Sequence, residues 1–498
     1  SESLSESAYR RVVRLDAESV GGPIVVKEFF PTRTRPTFAR RALARLQHLA
    51  RRDSAEHEWA ALQRLHQVGV PVPEPLAFAR RPGGGALIVT RHIPGAETLD
   101  RALGGYAFER RRLLRTVGEL IHRLHSAGSV HGDLHVGNIL VGEGGPVLVD
   151  LGRIRPIDSR FDRIRDIAFL DFSLVQRGVS RSNRLRMRIA ALELGHFRVA
   201  AEREQLREIG RASQARSIEY YRGRTRRTLR PSEQFVRVMH GDSTGMRLAD
   251  FSEQAVRAAV EEHRHQVETG GSCLIKHDHR SRVSAVDALG RMVVVKEVVK
   301  GGARKRFADL FRGSAGRRAW LGGHGLMIRG ISVATPLAYL EERQGGIPHS
   351  SLVILEELSG ARCVADLKPS DPEAEELPKQ LLGLVIRLHR SGSLHGDLQS
   401  IHIYLAEREG KRELTLIDLE GVRFPERLHD RQRIQMLSEL NASLDDDLIP
   451  AAKRAELFAD YRRALPFERG NQRAAAASAT VLGKRQRRSL VSVSDGPW

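Results

Sequence analysis

The chain has 498 residues, too many for one ordinary hydrophobic core and enough for two or three domains. Its 81 Lys+Arg against 61 Asp+Glu leave a formal charge of +20, which favours an anionic partner, although Arg-rich chains also arise from GC-rich coding. Scarce aromatics (5%) argue against a stacking platform for single strands and leave no nucleic-acid partner expected; two cysteines outside any CxxC pair, Cys273 and Cys363, argue against a disulfide framework or zinc site; and no apolar run is long enough to span a membrane.

Ser1 to Ser7 carries neither the basic nor the apolar region of a secretory leader, so a cytoplasmic location is expected. The same serines stand where a phosphate-covering loop is expected, and no GxGxxG is present. If the first copy starts at Ser1, its nucleotide loop is incomplete. Arg10 to Leu15 and Ile24 to Phe30 read as paired strands with Gly21-Gly22 at the turn. Lys27 ends the second of these, placed to reach the α- and β-phosphates of a nucleotide. Arg40, Arg41, Arg45, Arg51 and Arg52 follow; on an anionic membrane each would contribute about 1 kcal/mol, and as a solvated helix face they would contribute nothing to binding.

The spacing of Trp59, Leu62 and Leu65 predicts a helix over 55–67. Glu58 on it is placed to pair with Lys27. A strand from Ala86 to Thr90 leads into a connector closed by Pro94-Gly95, where Arg91 and Ile93 would present backbone groups to an adenine ring. A long helix, Phe108 to Ser126, precedes the loop His131-Gly132-Asp133-Leu134-His135-Val136-Gly137-Asn138, and a strand hairpin follows, ending at Asp150. His125 and His131 read as packing residues. Asp133 is placed to accept the proton of an acceptor hydroxyl; Asn138 and Asp150 are oxygen ligands suited to Mg²⁺. Taken singly, Lys27 is a snorkelling strand-end lysine and Glu58 a solvent-facing helix residue. Taken together and in this order, they are the parts of a phosphoryl-transfer site.

The pattern then repeats. Lys27 returns as Lys296, an offset of 269; Asp133 as Asp397, 264; Asp150 as Asp418, 268. The extra residues lie in a longer hairpin between Ala406 and Glu413. The second connector supplies Glu356 and Leu358 for adenine, and Asp418 with His402 for the metal. This copy is less complete. Ala319 falls where Glu58 stood, so the lysine's ion pair is expected to be lost, and His402, a poor Mg²⁺ ligand, replaces Asn138. The turn from His277 to Ser281 stands in the place of the phosphate loop. On residues alone the second copy is equally an active site or a degenerate one.

Glu58-Trp59, Gly69-Val70-Pro71-Val72-Pro73, the His131 loop and Asp150-Leu151-Gly152-Arg153, with their counterparts around Trp320, Thr335-Pro336, His395 and Asp418-Leu419-Glu420, resemble the bacterial lipopolysaccharide-core kinases, the Kdo/heptose kinase family. The likeness spans Tyr9 to Phe467. Its motifs are shared in part with aminoglycoside phosphotransferases and small atypical protein kinases. The heptose kinases look similar in placing His where other kinases place Asn, so His402 is also consistent with an active second copy.

The resemblance implies an α+β fold of two tandem bilobal protein-kinase-like domains, each a small antiparallel-sheet lobe plus a mainly helical lobe. The expected boundaries are residues 1–222 and 223–467, with a basic, Ala-rich tail over 468–498. It implies ATP and Mg²⁺ as cofactors, and phosphorylation of a Kdo or heptose hydroxyl on the lipid A–core glycolipid at the cytoplasmic face of the inner membrane. Two other readings stay open: a tandem pseudokinase scaffold, and an atypical Ser/Thr protein kinase.

Overall fold

In a computed structural model the described residues are 2–7, 10–17, 21–30, 55–81, 85–104, 107–194, 199–278, 281–298, 312–344, 347–408 and 410–467. The arginine cluster from Arg40 to Arg52 and the tail over 468–498 lie outside them. The chain forms two compact units, Ser1–Ser217 and Ile218–Trp498, the division falling within the helix Ala200–Arg227.

The first unit opens with a five-stranded antiparallel sheet in the order Glu2–Ser7, Arg10–Leu15, Ile24–Phe29, Ala86–Arg91, Pro75–Arg80. The serine-rich start is therefore an edge strand paired with Arg10–Leu15, not the expected loop. Lys27 sits mid-sheet, opposite Val12 on one side and Ile88 on the other. The helix over 55–67 packs an apolar stripe of Ala55, Ala61, Leu62 and Leu65 inward. Glu58 lies on that same buried stripe, at 7% exposure, so its charge requires a partner. Trp59 stacks on Phe78, ring centroids 6.0 Å apart.

The helical part follows. Helix Ala107–Ser126 buries Leu114, Val117, Leu120, Ile121 and Leu124. Helices Arg160–Gln176, Arg181–Leu192 and Ala200–Arg227 are tied by the fully buried Asp171, which accepts from Arg184 (2.9 Å), from both Arg188 nitrogens (2.8 and 2.6 Å) and from Ser213 (2.7 Å). A buried carboxylate with this many donors fixes the mutual register of three helices; removing one would leave a buried acceptor under-satisfied.

The second unit is built on the same plan with a larger sheet. Seven strands run in the order Phe235–His240, Ser243–Leu248, Pro336–Gln344, Ile347–Glu356, Met292–Val298, Ser281–Asp287, Leu274–His277. The first two strands and the helix Glu253–Thr269 are additions the sequence reading did not name. That helix buries Val256, Ala259 and Val260, and its His263 meets Ser284 Oγ at 2.6 Å. Helix Ala315–Met327 takes the place of the helix over 55–67, and its Trp320 is fully buried with its indole N–H donated to Thr228 O. The hairpin Ile403–Arg408 and Lys411–Leu416 is longer than its counterpart Ile139–Gly142 and Gly145–Leu148, as its sequence predicts. Each unit thus pairs an antiparallel-sheet lobe with a mainly helical one, the architecture the resemblance implies.

Candidate active site

In the first unit one ammonium gathers two carboxylates far from it in sequence. Lys27 Nζ lies 2.5 Å from Glu58 Oε1 and 2.8 Å from Asp150 Oδ1. Arg10 adds a second cation, its Nη1 lying 2.9 and 2.8 Å from the two Asp150 oxygens. Burial alone would raise the Asp150 carboxyl; Lys27 and then Arg10 outweigh it and bring it down to about 2. Asp150 also has left-handed backbone angles (φ 60°, ψ 59°), as does Asp418 (φ 55°, ψ 59°). For a non-glycine residue this conformation costs about 1–3 kcal/mol and persists where surroundings impose it, often at functional sites.

Asp133 lies on the loop beside this cluster, partly exposed, with Arg153 3.6 Å away. Asn138 Nδ2 donates to the Asp133 carbonyl at 2.9 Å, which fixes the amide and leaves Oδ1 as its ligand atom. Asn138 and Asp150 offer oxygen alone, the donor type Mg²⁺ prefers. Both Asp150 oxygens are shared with Arg10, so a cation there competes with the guanidinium.

Asp166, which the sequence reading missed, holds the loop in place. Its carboxylate accepts the backbone N–H of His131 (2.9 Å) and of Gly132 (3.0 Å), and meets His125 Nε2 at 3.2 Å. His131 is fully buried and its Nε2 meets Val149 O at 3.0 Å, tying the loop to the strand before Asp150. Both histidines are packing residues, as expected. The available signal for Asp166 was a lone carboxylate on the buried stripe of Ile164, Ile167, Ala168 and Leu170. Gly132 has φ 76°, and a Cβ there would fall 2.4 Å from Arg153 O; Gly396 has φ 88°, with 2.6 Å to Gly421 O. The loop and the Asp-Leu segment approach too closely for any side chain between them.

The connectors match between units. Arg91 N donates to Glu74 O and Ala96 N to Ile93 O; Glu356 N donates to Thr335 O and Ala361 N to Leu358 O. The N–H groups of Arg91 and Glu356 are thus committed to neighbouring strands. The Glu356 carboxylate is held by Arg408 at 2.6 and 3.0 Å.

In the second unit Lys296 is ion-paired with Asp418, and Glu420 Oε2 stands 4.0 Å from the same ammonium. Ala319 is buried and offers nothing, while Arg318 turns away to Gly313 O at 2.7 Å. The helix carboxylate is indeed gone, but the expectation of a lost partnership needs correcting: Glu420, in the position of Gly152, brings a second carboxylate from the loop side. Burial would lower the Lys296 ammonium; Asp418 and Glu420 outweigh it and hold it above the ordinary lysine value. One donor atom each from Asp397, His402 and Asp418 lies within 4.8 Å of the others. The loop anchor differs too. His389 Nε2, the counterpart of His125, meets Met436 Sδ at 3.4 Å, so a thioether stands where Asp166 stands in the first unit.

The family model described as "Lipopolysaccharide kinase (Kdo/WaaP) family" matches residues 2–190 and 317–461, more than half of the chain. The lipopolysaccharide core heptose(I) kinase WaaP of Pseudomonas aeruginosa is 29% identical over 154 residues, 26% of this chain and 57% of that protein. The 3-deoxy-D-manno-octulosonic acid kinase of Actinobacillus succinogenes is 40% identical over 88 residues (17% and 36%). The RIO-type serine/threonine-protein kinase Rio1 of Haloferax volcanii is 34% identical over 97 residues (19% and 32%). The matches span between about a third and just over half the length of these relatives.

Proposed function

The chain belongs to the lipopolysaccharide kinase (Kdo/WaaP) family, and on that footing we propose that it is an ATP-dependent kinase acting on a Kdo or heptose hydroxyl of the lipid A–core glycolipid. The observation that carries the reading is the convergence of Lys27 on Glu58 and Asp150, with Asp133 tied through its carbonyl to Asn138. Lys27, braced by Glu58, holds the α- and β-phosphates. Asp133 orients the acceptor hydroxyl and takes its proton. Asn138 and Asp150 would hold Mg²⁺, which would neutralise charge on the phosphates. Arg10, which shares Asp150, is the basic side chain that would face the phosphates in place of glycine-loop amides. Arg91 and Ile93 line the adenine end, with Glu356 and Leu358 in the second copy.

A lipid-linked glycan acceptor would be reached at the cytoplasmic face of the inner membrane, and the +20 charge suits its anionic surface. No helix among the described residues is long and apolar enough to cross a membrane. The test is phosphate transfer from labelled ATP to isolated core glycolipid by the full chain. Asp133→Ala should abolish the first copy's share of it with the fold retained; unchanged turnover would remove the assignment.

Two observations favour second readings. Met436 in place of the loop-anchoring Asp166 favours a second copy that serves as a nucleotide-binding scaffold. Mass spectrometry of the core from strains carrying Asp133→Ala or Asp397→Ala separates the cases: a phosphate lost in each strain means two working sites. The match to a RIO-type kinase favours a protein acceptor; label on Ser/Thr of a protein and none on glycolipid would support it.

A further inference from the structure

The first unit carries a trough outside the site described above. Helices Ala107–Ser126 and Arg181–Leu192 close on each other at Gly118, where a Cβ would fall 2.4 Å from Met187 O and 2.6 Å from Ala190 Cβ. Beside that contact a cavity of about 930 Å³ runs over Ile189, Ala190 and Leu194, and a smaller one of about 280 Å³ reaches Ser180 and Ser182. Arg111 and Arg186 line both, so the two adjoin. The larger is walled by five arginines, Arg111, Arg112, Arg115, Arg123 and Arg186, against two carboxylates. Both carboxylates are engaged, Glu119 with Arg115 at 2.9 Å and Glu193 with His122 at 3.2 Å. Arg186 donates to the Asn183 amide oxygen at 2.8 Å, a neutral acceptor that leaves its charge uncompensated. Arg111, Arg112 and Arg123 are exposed and make no hydrogen bond or ion pair among the described residues. A cationic rim and an apolar floor thus share one trough.

We infer that this trough docks the chain on the bilayer by taking an anionic phospholipid of the phosphatidylglycerol type. Its phosphate lies among Arg111, Arg186 and the Ser180 and Ser182 hydroxyls, and its acyl carbons lie along Ile189, Ala190 and Leu194. A guanidinium meets phosphate as a planar fork, and the hydroxyls add neutral donors. An acyl chain on the floor removes apolar surface from water. Unpaired arginines crowded on one rim repel each other, and an anion between them relieves that repulsion. The inference rests on the membrane-borne acceptor proposed above, which favours a lipid over an acidic protein as the occupant, and it names the surface that holds the chain there.

The test floats the full chain with vesicles of phosphatidylcholine alone or of an equal mixture with phosphatidylglycerol. The wild-type chain should bind the mixed vesicles and not the neutral ones. Arg111→Gln, Arg112→Gln and Arg123→Gln together should weaken that binding about a hundredfold, the scale for three basic residues leaving an anionic surface. The control removes the same charge from side chains already paired, Arg160 with Glu208 and Arg207 and Arg211 with Glu204, each changed to Gln, and should weaken binding far less. An equal loss in both variants means bulk charge alone and overturns the inference, as does a wild-type chain indifferent to phosphatidylglycerol. A phosphatidylglycerol with a photoactivatable acyl chain should mark the stretch from 181 to 194; label absent there also overturns it. Binding of poly-glutamate that only the first variant loses, with no preference among vesicles, would make the trough a protein-docking surface and overturn it too. Transfer to detergent-dispersed glycolipid should be unchanged in the first variant. Failure of that transfer in the wild-type chain strikes the sugar-kinase reading and leaves the vesicle result standing.

Discussion

Asp166 and His131 are joined by a 2.9 Å bond from the His131 backbone N–H to the Asp166 carboxylate, although 35 residues separate them. That carboxylate, 3% exposed, also takes the Gly132 N–H. The loop bearing Asp133 is thereby seated on the helix Arg160–Gln176 and not on its own strand alone. Asp166→Ala leaves a buried and a half-buried N–H without an acceptor and should cost about 2–4 kcal/mol of stability. The loss should appear as a lowered denaturation midpoint together with a fall of at least tenfold in kcat, since in the proposed role a loosened Asp133 would no longer meet the acceptor hydroxyl in register. The corresponding change in the second copy, Met436→Ala, should lower stability through lost packing and leave first-copy transfer unaltered.

Lys27 is the hub of the first site, and Glu58 is the part of it buried deepest. Glu58→Gln keeps the shape and removes the charge. Lys27 then swings wholly to Asp150. We expect kcat/KM for ATP to fall by about two orders of magnitude with little change in KM for the proposed acceptor, measured by steady-state kinetics at varied ATP. In the second copy Glu420→Gln should weaken nucleotide binding, read as a reduced thermal shift on addition of nucleotide, whereas restoring a helix carboxylate by Ala319→Glu should be tolerated poorly, because Ala319 is 4% exposed and packed.

Gly132→Ala places a methyl group 2.4 Å from Arg153 O at a φ of 76°. Backbone must move, so loss of the fold around the loop or loss of transfer is expected. Gly128→Ala is the control: its φ is 73°, yet a Cβ there meets nothing within 4 Å, so only the conformational strain of about 1 kcal/mol should be felt. Thermal unfolding of the two variants separates crowding from strain.

The second unit should weaken in mild acid. Burial lowers His324 to about 4; burial, and then the Arg433 charge, lowers His389 to about 3. Unfolded, both return to about 6.5. As pH falls below that value the unfolded chain takes up two protons that the folded chain refuses, so the stabilisation is complete above the unfolded value and is lost progressively toward pH 4 and 3. Each histidine should account for about 2 kcal/mol between pH 7 and 5. Denaturant midpoints across that window should drop, and His324→Gln should flatten the slope by roughly one proton.

Much of the first site is legible from sequence because its parts are short motifs on predictable elements: Lys27 on an apolar strand, Glu58 on a periodic helix, and the Asp133–Asp150 stretch. The internal repeat supplies a second reading of the same pattern, so the second copy's lysine and two aspartates follow by register. What escapes depends on convergence. Asp166 and Asp171 belong to no motif; they are carboxylates on an apolar stripe, whose partners come from distant helices. Glu420 reads as an ordinary loop residue until Lys296 is found 4.0 Å from it. The strands Phe235–His240 and Ser243–Leu248 were passed over because the repeat offered no template for them.

The contact of Gly132 with Arg153 O, and of Gly396 with Gly421 O, has a consequence for anyone recombining such chains. The same close approach of loop and seat recurs in both halves even though the residue beneath differs, Asp166 in one and Met436 in the other. They form one heritable module. A hybrid that swaps residues 131–138 alone would install a key cut for another lock; the transplantable block is the whole stretch through residue 153.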